Sequence, residues 1–264
     1  MDEAYRVTKG IIVREVKFRE SNRMLTILTE DGGRIEALAR SADRRNSRLS
    51  AACSLMCYSE FTCFSYKGRT TINEAEPLDQ FPEIREDIVK LSLVTYVCDV
   101  AARLSDVDFA DNEVFRLTMN TVFSIARLNL PLNLVKAVFE LRAAAIAGFA
   151  PAVDHCVSCG AELFSLLLHR REGVSYCLDC GALSERHKQA PPSGAVLFYL
   201  SPGALKAFNH VISADLKKIY SFSASNNDIC ALAETAESYL SAQLGDYPRT
   251  LTFYHKIVNN GAYI

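Results

Sequence analysis

Two Cys-x-x-Cys pairs, Cys156 with Cys159 and Cys177 with Cys180, constrain this chain more tightly than any other feature. A two-residue gap lets both sulfurs of a pair converge on one ion from a tight turn, and the seventeen residues between the pairs suit a four-cysteine structural zinc site. Gly160 and Gly181 directly follow the pairs, and glycine there relieves the backbone as it turns over the metal. The expected cofactor is therefore one structural Zn2+ per chain. Four thiolates fill a tetrahedral sphere and leave no position for water, which argues against zinc catalysis. A dithiol redox pair is the weaker reading of the same motifs. His155 directly precedes Cys156, but the four cysteines already suffice, and His169, His187, His210 and His255 show no metal spacing.

The other five of nine cysteines, Cys53, Cys57, Cys63, Cys98 and Cys230, sit inside apolar patterns, where a free thiol behaves as a small hydrophobe. An odd count and this placement do not fit a disulfide scaffold, so a reducing, cytoplasmic setting is expected. No apolar run approaches the roughly 20 residues of a membrane helix, and Met1-Asp2-Glu3-Ala4-Tyr5-Arg6 lacks the apolar core of a secretion signal. No membrane partner is expected. With 49% hydrophobic and 23% charged residues the composition is ordinary for a folded chain. The net charge of −2 gives no overall affinity for nucleic acid, yet the basic residues are concentrated toward the amino terminus.

The pattern predicts an α+β multidomain protein. Segments 10–16, 23–29, 34–40, 54–65 and 69–74 are short, rich in β-branched and aromatic residues, and separated by turns such as Asp31-Gly32-Gly33 and Lys67-Gly68. Five such strands suit a small closed barrel of the oligonucleotide-binding (OB) type over 1–80. The period then becomes helical. A helix beginning near Pro82 carries Ile84, Ile88, Leu91, Thr95, Cys98 and Ala102 on one stripe. Asp111 is placed to cap a second helix with Val114, Phe115, Val122 and Ile125, and Pro131 to open a third that turns Leu134, Val138, Leu141 and Ala145 inward and stops at Gly148. The expected division is a helical domain over 81–152, a four-cysteine zinc module over 153–186, and a second helical part over 187–264. In that last part Ser201-Pro202 starts one helix, and another runs over about 227–244 to Gly245.

Five arginines mark a candidate surface. Arg34 and Arg40 share strand parity, and Arg44, Arg45 and Arg48 lie in the polar loop that follows. Guanidinium forks match phosphate oxygens, so the set suits a nucleic-acid backbone, while the plainer reading is a solvated loop with pairs to Glu36 or Asp43. Tyr58, Phe61, Phe64 and Tyr66 are candidates either for core or for stacking on unpaired bases. The chain lacks Gly-x-x-x-x-Gly-Lys, Gly-x-Gly-x-x-Gly, His-Glu-x-x-His and Gly-x-Ser-x-Gly, which weakens the enzyme class without excluding an unfamiliar site.

The order of these features resembles the RecO family of bacterial recombination mediators. The likeness rests on Thr8-Lys9-Gly10-Ile11-Ile12-Val13, Leu25-Thr26-Ile27-Leu28-Thr29 and Gly33-Arg34, then Phe139-Glu140-Leu141-Arg142, Gly148-Phe149-Ala150-Pro151 and Cys156-Val157-Ser158-Cys159, and covers essentially the whole chain. The resemblance implies a DNA-binding OB barrel, a structural zinc module and a non-enzymatic role. It also implies binding of single- and double-stranded DNA, annealing of strands coated by single-stranded-DNA-binding protein, and action with RecR to load RecA. One departure is the segment Ser41-Ala42-Asp43 after Arg40, where the family usually has a glycine. Gripping a coating protein calls for a second surface, for which Lys136 and Arg142 are the candidates: six apart on one helix, about 120° off coincidence, they would flank a groove. A zinc-containing nucleic-acid enzyme and an RNA-binding adaptor are the competing classes.

Overall fold

Alternating β-branched and apolar residues in the first eighty positions close into a five-stranded barrel. In the computed structural model, which describes residues 4–31, 33–105, 112–183 and 190–261, its strands are β1 (Ala4–Phe18), β2 (Asn22–Thr29), β3 (Arg34–Ala39), β4 (Tyr58–Tyr66) and β5 (Arg69–Asp79). The closed order is β1-β2-β3-β5-β4, with β3 and β5 parallel and the other pairs antiparallel. This is the OB-type connectivity that the sequence predicts. Ile12, Leu25, Ile27, Phe61 and Ile72 fill the interior, each contributing about 1.5–3 kcal/mol by burial.

One strand serves two neighbours. β1 pairs with β4 through residues 4–11 and with β2 through residues 10–18, bending at an irregularity between Ile12 and Arg14. Gly10 sits where the two ladders overlap, and a Cβ there would lie 2.5 Å from the Leu28 carbonyl oxygen and 2.7 Å from Ile27 Cγ2. Residues 54–57, expected as strand, instead end the long turn-rich connection from β3 to β4. That connection plugs the barrel with Ala42 and Cys53, so its apolar residues are core without being β-structure. Gly32, part of the expected β2–β3 turn, lies outside the described residues.

The helix expected from Pro82 is two. α1 (Pro82–Arg85) ends at Glu86, and Asp87 caps α2 (Ile88–Leu104) by accepting from the Val89 and Lys90 amides at 2.8 and 3.1 Å. The buried side of α2 carries Leu93, Val94, Val97, Cys98 and Ala101, whereas Ile88 is exposed, so the expected stripe is rotated. α3 (Glu113–Arg127) buries Phe115, Val122 and Ile125 as expected; its expected cap, Asp111, lies outside the described residues. The chain divides into two compact units, Met1–Asn129 with Pro248–Ile264, and Leu130–Tyr247. The first unit thus takes α1 to α3 together with α8 (Arg249–Gly261). Leu251 and Tyr254 are buried on α8, which packs on α2. Two buried positions are too brief a stripe to announce a helix.

The second unit contains α4 (Leu132–Ile146), α5 (Leu178–Gly181), α6 (Pro202–Ser213) and α7 (Asn226–Leu244). Ser201 caps α6 by accepting from the Ala204 amide at 3.0 Å, and Gly245 closes α7 at φ 76°. A three-stranded antiparallel sheet, ordered β7 (Ser175–Tyr176), β6 (Leu166–His169), β8 (Leu197–Leu200), was not expected from the sequence. Its strands have two to four residues, too few to establish a period of two.

Candidate metal centre and nucleic-acid interface

The short strand β7 delivers Cys177 to the start of α5, and the Val157 amide donates to the Ser175 carbonyl at 2.8 Å, holding the first Cys-x-x-Cys turn beside the second. The Sγ atoms of Cys156, Cys159, Cys177 and Cys180 all lie within 4.8 Å of one another, and Cys159 and Cys177 are 3.8 Å apart. Four sulfurs bonded tetrahedrally to one ion at about 2.3 Å would be separated by about 3.8 Å. The sulfurs are therefore spaced for a shared ion, and the thiol set fits zinc. Protons are unevenly held within it. Burial raises the Cys156 thiol, but backbone donors from Cys177, Cys159 and Ser158 outweigh it and bring the group down to about 6. Cys180 is pushed up, by burial first and by its thiol neighbours next. A dication held by the four sulfurs would reverse that balance, since thiolates and not thiols are its ligands.

The two glycines behind the pairs differ. Gly160 has φ 75°, as the expected turn requires, and donates to the Cys156 carbonyl at 2.9 Å. Gly181 is helical, and what a side chain there would meet is Leu167 Cδ1 at 2.2 Å. His155 forms a β-bridge with Glu162 and is not in the thiol cluster.

A groove of about 1010 Å³ crosses the outer face of β2 and β3, between the β1–β2 and β4–β5 turns. On an OB barrel this face and these two turns are the ones that hold oligonucleotides. Arg40 and Arg44 line it, joined by Arg19 and Arg69, which the sequence reading did not single out. Arg45 and Arg48 are exposed on the same loop but outside the lining. None of these six guanidinium groups forms an ion pair with a described residue. The loop's carboxylate is occupied elsewhere: Asp43 accepts from Arg23 Nη2 at 2.8 Å and pairs with Lys17 at 3.3 Å. Those two donors, Arg23 first, hold Asp43 below the usual carboxylate value. Arg23 also reaches the Cys53 carbonyl, and the Ser41 amide donates to Asn22 Oδ1 at 2.9 Å. Ser41 adopts φ 55°, the left-handed conformation that a glycine would take more easily.

Three expected site residues are placed otherwise. Arg34 stands at the opposite end of β3 from Arg40, roughly 20 Å along the strand. It pairs with Glu36 at 2.6 Å and donates to the Ala102 and Ser105 carbonyls at 3.2 and 3.3 Å. The open carbonyls at the end of α2 attract it there. Lys136 is 3% exposed and held by Glu140 at 2.8 Å and Glu237 at 2.6 Å, so it lies inside the second unit and not on a rim. Arg142 donates to the Val211 and Ile212 carbonyls at the end of α6. The aromatics divide: Phe61 is core and Tyr58 packs near Phe115, while Phe64 and Tyr66 line the groove with Phe18. Arg19, Arg69 and Phe18 were missed because their only signal is position at the ends of strands whose closure brings them together.

A five-stranded OB-type barrel with a basic outer groove, followed by a helical region that carries a tetrathiol cluster, defines a mixed α+β protein with an OB-type fold. Comparison with known proteins narrows the class. Residues 1–81 match the family model described as Recombination protein O N terminal, and residues 85–252 that described as Recombination protein O C terminal. The chain belongs to the RecO family of DNA repair and recombination proteins. It is 30% identical to the DNA repair protein RecO of Acetivibrio thermocellus over 91% of this chain and 92% of that one. It is 24% identical to the protein of the same name from Symbiobacterium thermophilum, over 89% and 90% of the two chains. Among the described residues no helix is long and apolar enough to cross a membrane.

Proposed function

We propose that this protein is a non-enzymatic recombination mediator of the bacterial cytoplasm. It binds single- and double-stranded DNA without reading sequence and anneals complementary strands coated by single-stranded-DNA-binding protein. With RecR it permits RecA to replace that coat. Its Zn2+, held by Cys156, Cys159, Cys177 and Cys180, is structural: four thiolates leave the ion no open position for substrate. The observation that carries the reading is the groove on β2 and β3, where the guanidinium groups of Arg19, Arg40, Arg44 and Arg69, which pair with no carboxylate among the described residues, lie on the face that OB barrels use for oligonucleotides. Arg45 and Arg48 add phosphate contacts beside it. Phosphate contacts release counterions, so the log affinity for a single strand falls with log salt by roughly 0.7 per neutralised phosphate.

The test has two parts. Anisotropy of a labelled single strand across a salt series should show a slope that flattens by about one phosphate contact for each charge removed in Arg40→Ala, Arg44→Ala, Arg45→Ala and Arg48→Ala. Annealing of complementary strands coated by single-stranded-DNA-binding protein should accelerate when the folded, metal-loaded protein is added. Unchanged affinity and slope in the arginine variants would move the DNA surface elsewhere. No acceleration of annealing would leave a DNA-binding protein that is not a mediator.

A further inference from the structure

Two hairpins that face the groove repeat one arrangement. β1 ends on Phe18 and the next residue is Arg19; β4 ends on Tyr66 and the next is Lys67. In each, the aromatic ring is followed by a cation in the left-handed backbone conformation, Arg19 at φ 58° and Lys67 at φ 50°. In each the cation folds back over the ring, at 5.3 Å for Arg19 over Phe18 and 5.1 Å for Lys67 over Tyr66. Glycine or asparagine takes this conformation with less strain than a long cationic residue, so the turns alone do not call for Arg and Lys. Nor does the core need the rings, which are 39% and 42% exposed. Exposed aromatics beside unpaired cations are what single-strand-binding grooves use, because every base offers a stacking face and every linkage a phosphate.

We infer that the groove takes an unpaired strand, with Phe18 and Tyr66 as base-stacking platforms at its two ends and with Arg19 and Lys67 backing those rings toward the flanking phosphates. The inference rests on the DNA-binding reading above and specifies its ligand. A base shows its face to a protein ring only when it is out of the duplex stack. An intact duplex offers phosphates and groove edges alone. Arg40, Arg44 and Arg69 contact either ligand, whereas the two rings select the unpaired one. Phe64, also on the lining and 4.9 Å from the exposed Tyr5 ring, continues the apolar surface from Tyr66 along β4.

The experiment compares wild type with Phe18→Ala, Tyr66→Ala and the double variant. The probes are labelled oligothymidylate, an abasic strand of matched length and a blunt hairpin duplex, each read by anisotropy at one salt concentration. Stacking predicts at least about fivefold weaker binding of oligothymidylate for each ring removed, with duplex affinity and salt slope unchanged. The abasic strand should bind wild type and double variant alike, since it has nothing to stack. Tyr66→Phe, which keeps the ring, should bind as wild type does. Equal losses on all three probes, retained oligothymidylate affinity in the double variant, or a loss in Tyr66→Phe would each overturn the inference. Arg40→Ala with Arg44→Ala is the separate control. If that pair binds every probe with wild-type affinity and slope, the DNA surface lies outside this groove, and the placement of the site fails rather than the stacking alone.

Discussion

Lys136 shows how a residue's surroundings decide what its charge does. On a helical projection it is a cation free to meet a partner. In the folded second unit its ammonium lies between Glu140, which is fully buried, and Glu237, whose other carboxylate oxygen accepts from the Tyr247 hydroxyl. Burial works against its charge, but the two carboxylates outweigh it, and its pKa is raised. Removing the cation leaves Glu140 charged and unpaired in the interior. Lys136→Ala should therefore lower stability by about 3–5 kcal/mol, read as a shift in a denaturant midpoint with unchanged slope. A fully stable Lys136→Ala protein with altered partner affinity would return the residue to a surface role. Arg23 plays a comparable part in the barrel, where its guanidinium joins Asp43, Glu15 and the Cys53 carbonyl and so fixes the loop that carries Arg40 to Arg48.

At the scale of elements, β1 is the strand on which the barrel depends. It closes the sheet only because it is long enough to pair with β2 at one end and β4 at the other, and the overlap falls at Gly10. The β2 backbone approaches too closely there for any side chain. Gly10→Ala should cost about 1–3 kcal/mol through displacement of that contact. Thermal unfolding monitored in the far ultraviolet would reveal it, and an unchanged melting temperature would mean that the two strands separate without penalty. The β3–β4 connection teaches the complementary lesson. Met56 and Cys57 fall in the expected strand because they are apolar, yet they are buried at the end of an irregular connection whose Cys53 packs in the barrel interior.

For the whole molecule, the thiol cluster and the groove belong to different compact units, the thiols within Leu130–Tyr247 and the groove within Met1–Asn129. Stripping the metal should therefore lower the melting temperature of the second unit while salt-dependent DNA binding persists. Elemental analysis beside anisotropy on the same chelated sample checks this, and DNA affinity lost in step with zinc from a folded barrel would give the ion a part in binding. The sequence by itself determined the four thiols that could hold an ion, because each Cys-x-x-Cys is a local geometry that one turn can satisfy. It also determined the barrel and most helices, since periodicity, Ser201, Gly148 and Gly245 act over a few residues. Only the tertiary structure decided which charges remain free. Arg34, Lys136 and Arg142 found carbonyls or carboxylates distant in sequence, whereas Arg19 and Arg69 were gathered with Arg40 and Arg44 by barrel closure. Counter-ions and neighbours of this kind are set by contacts across many residues, and no local pattern encodes them.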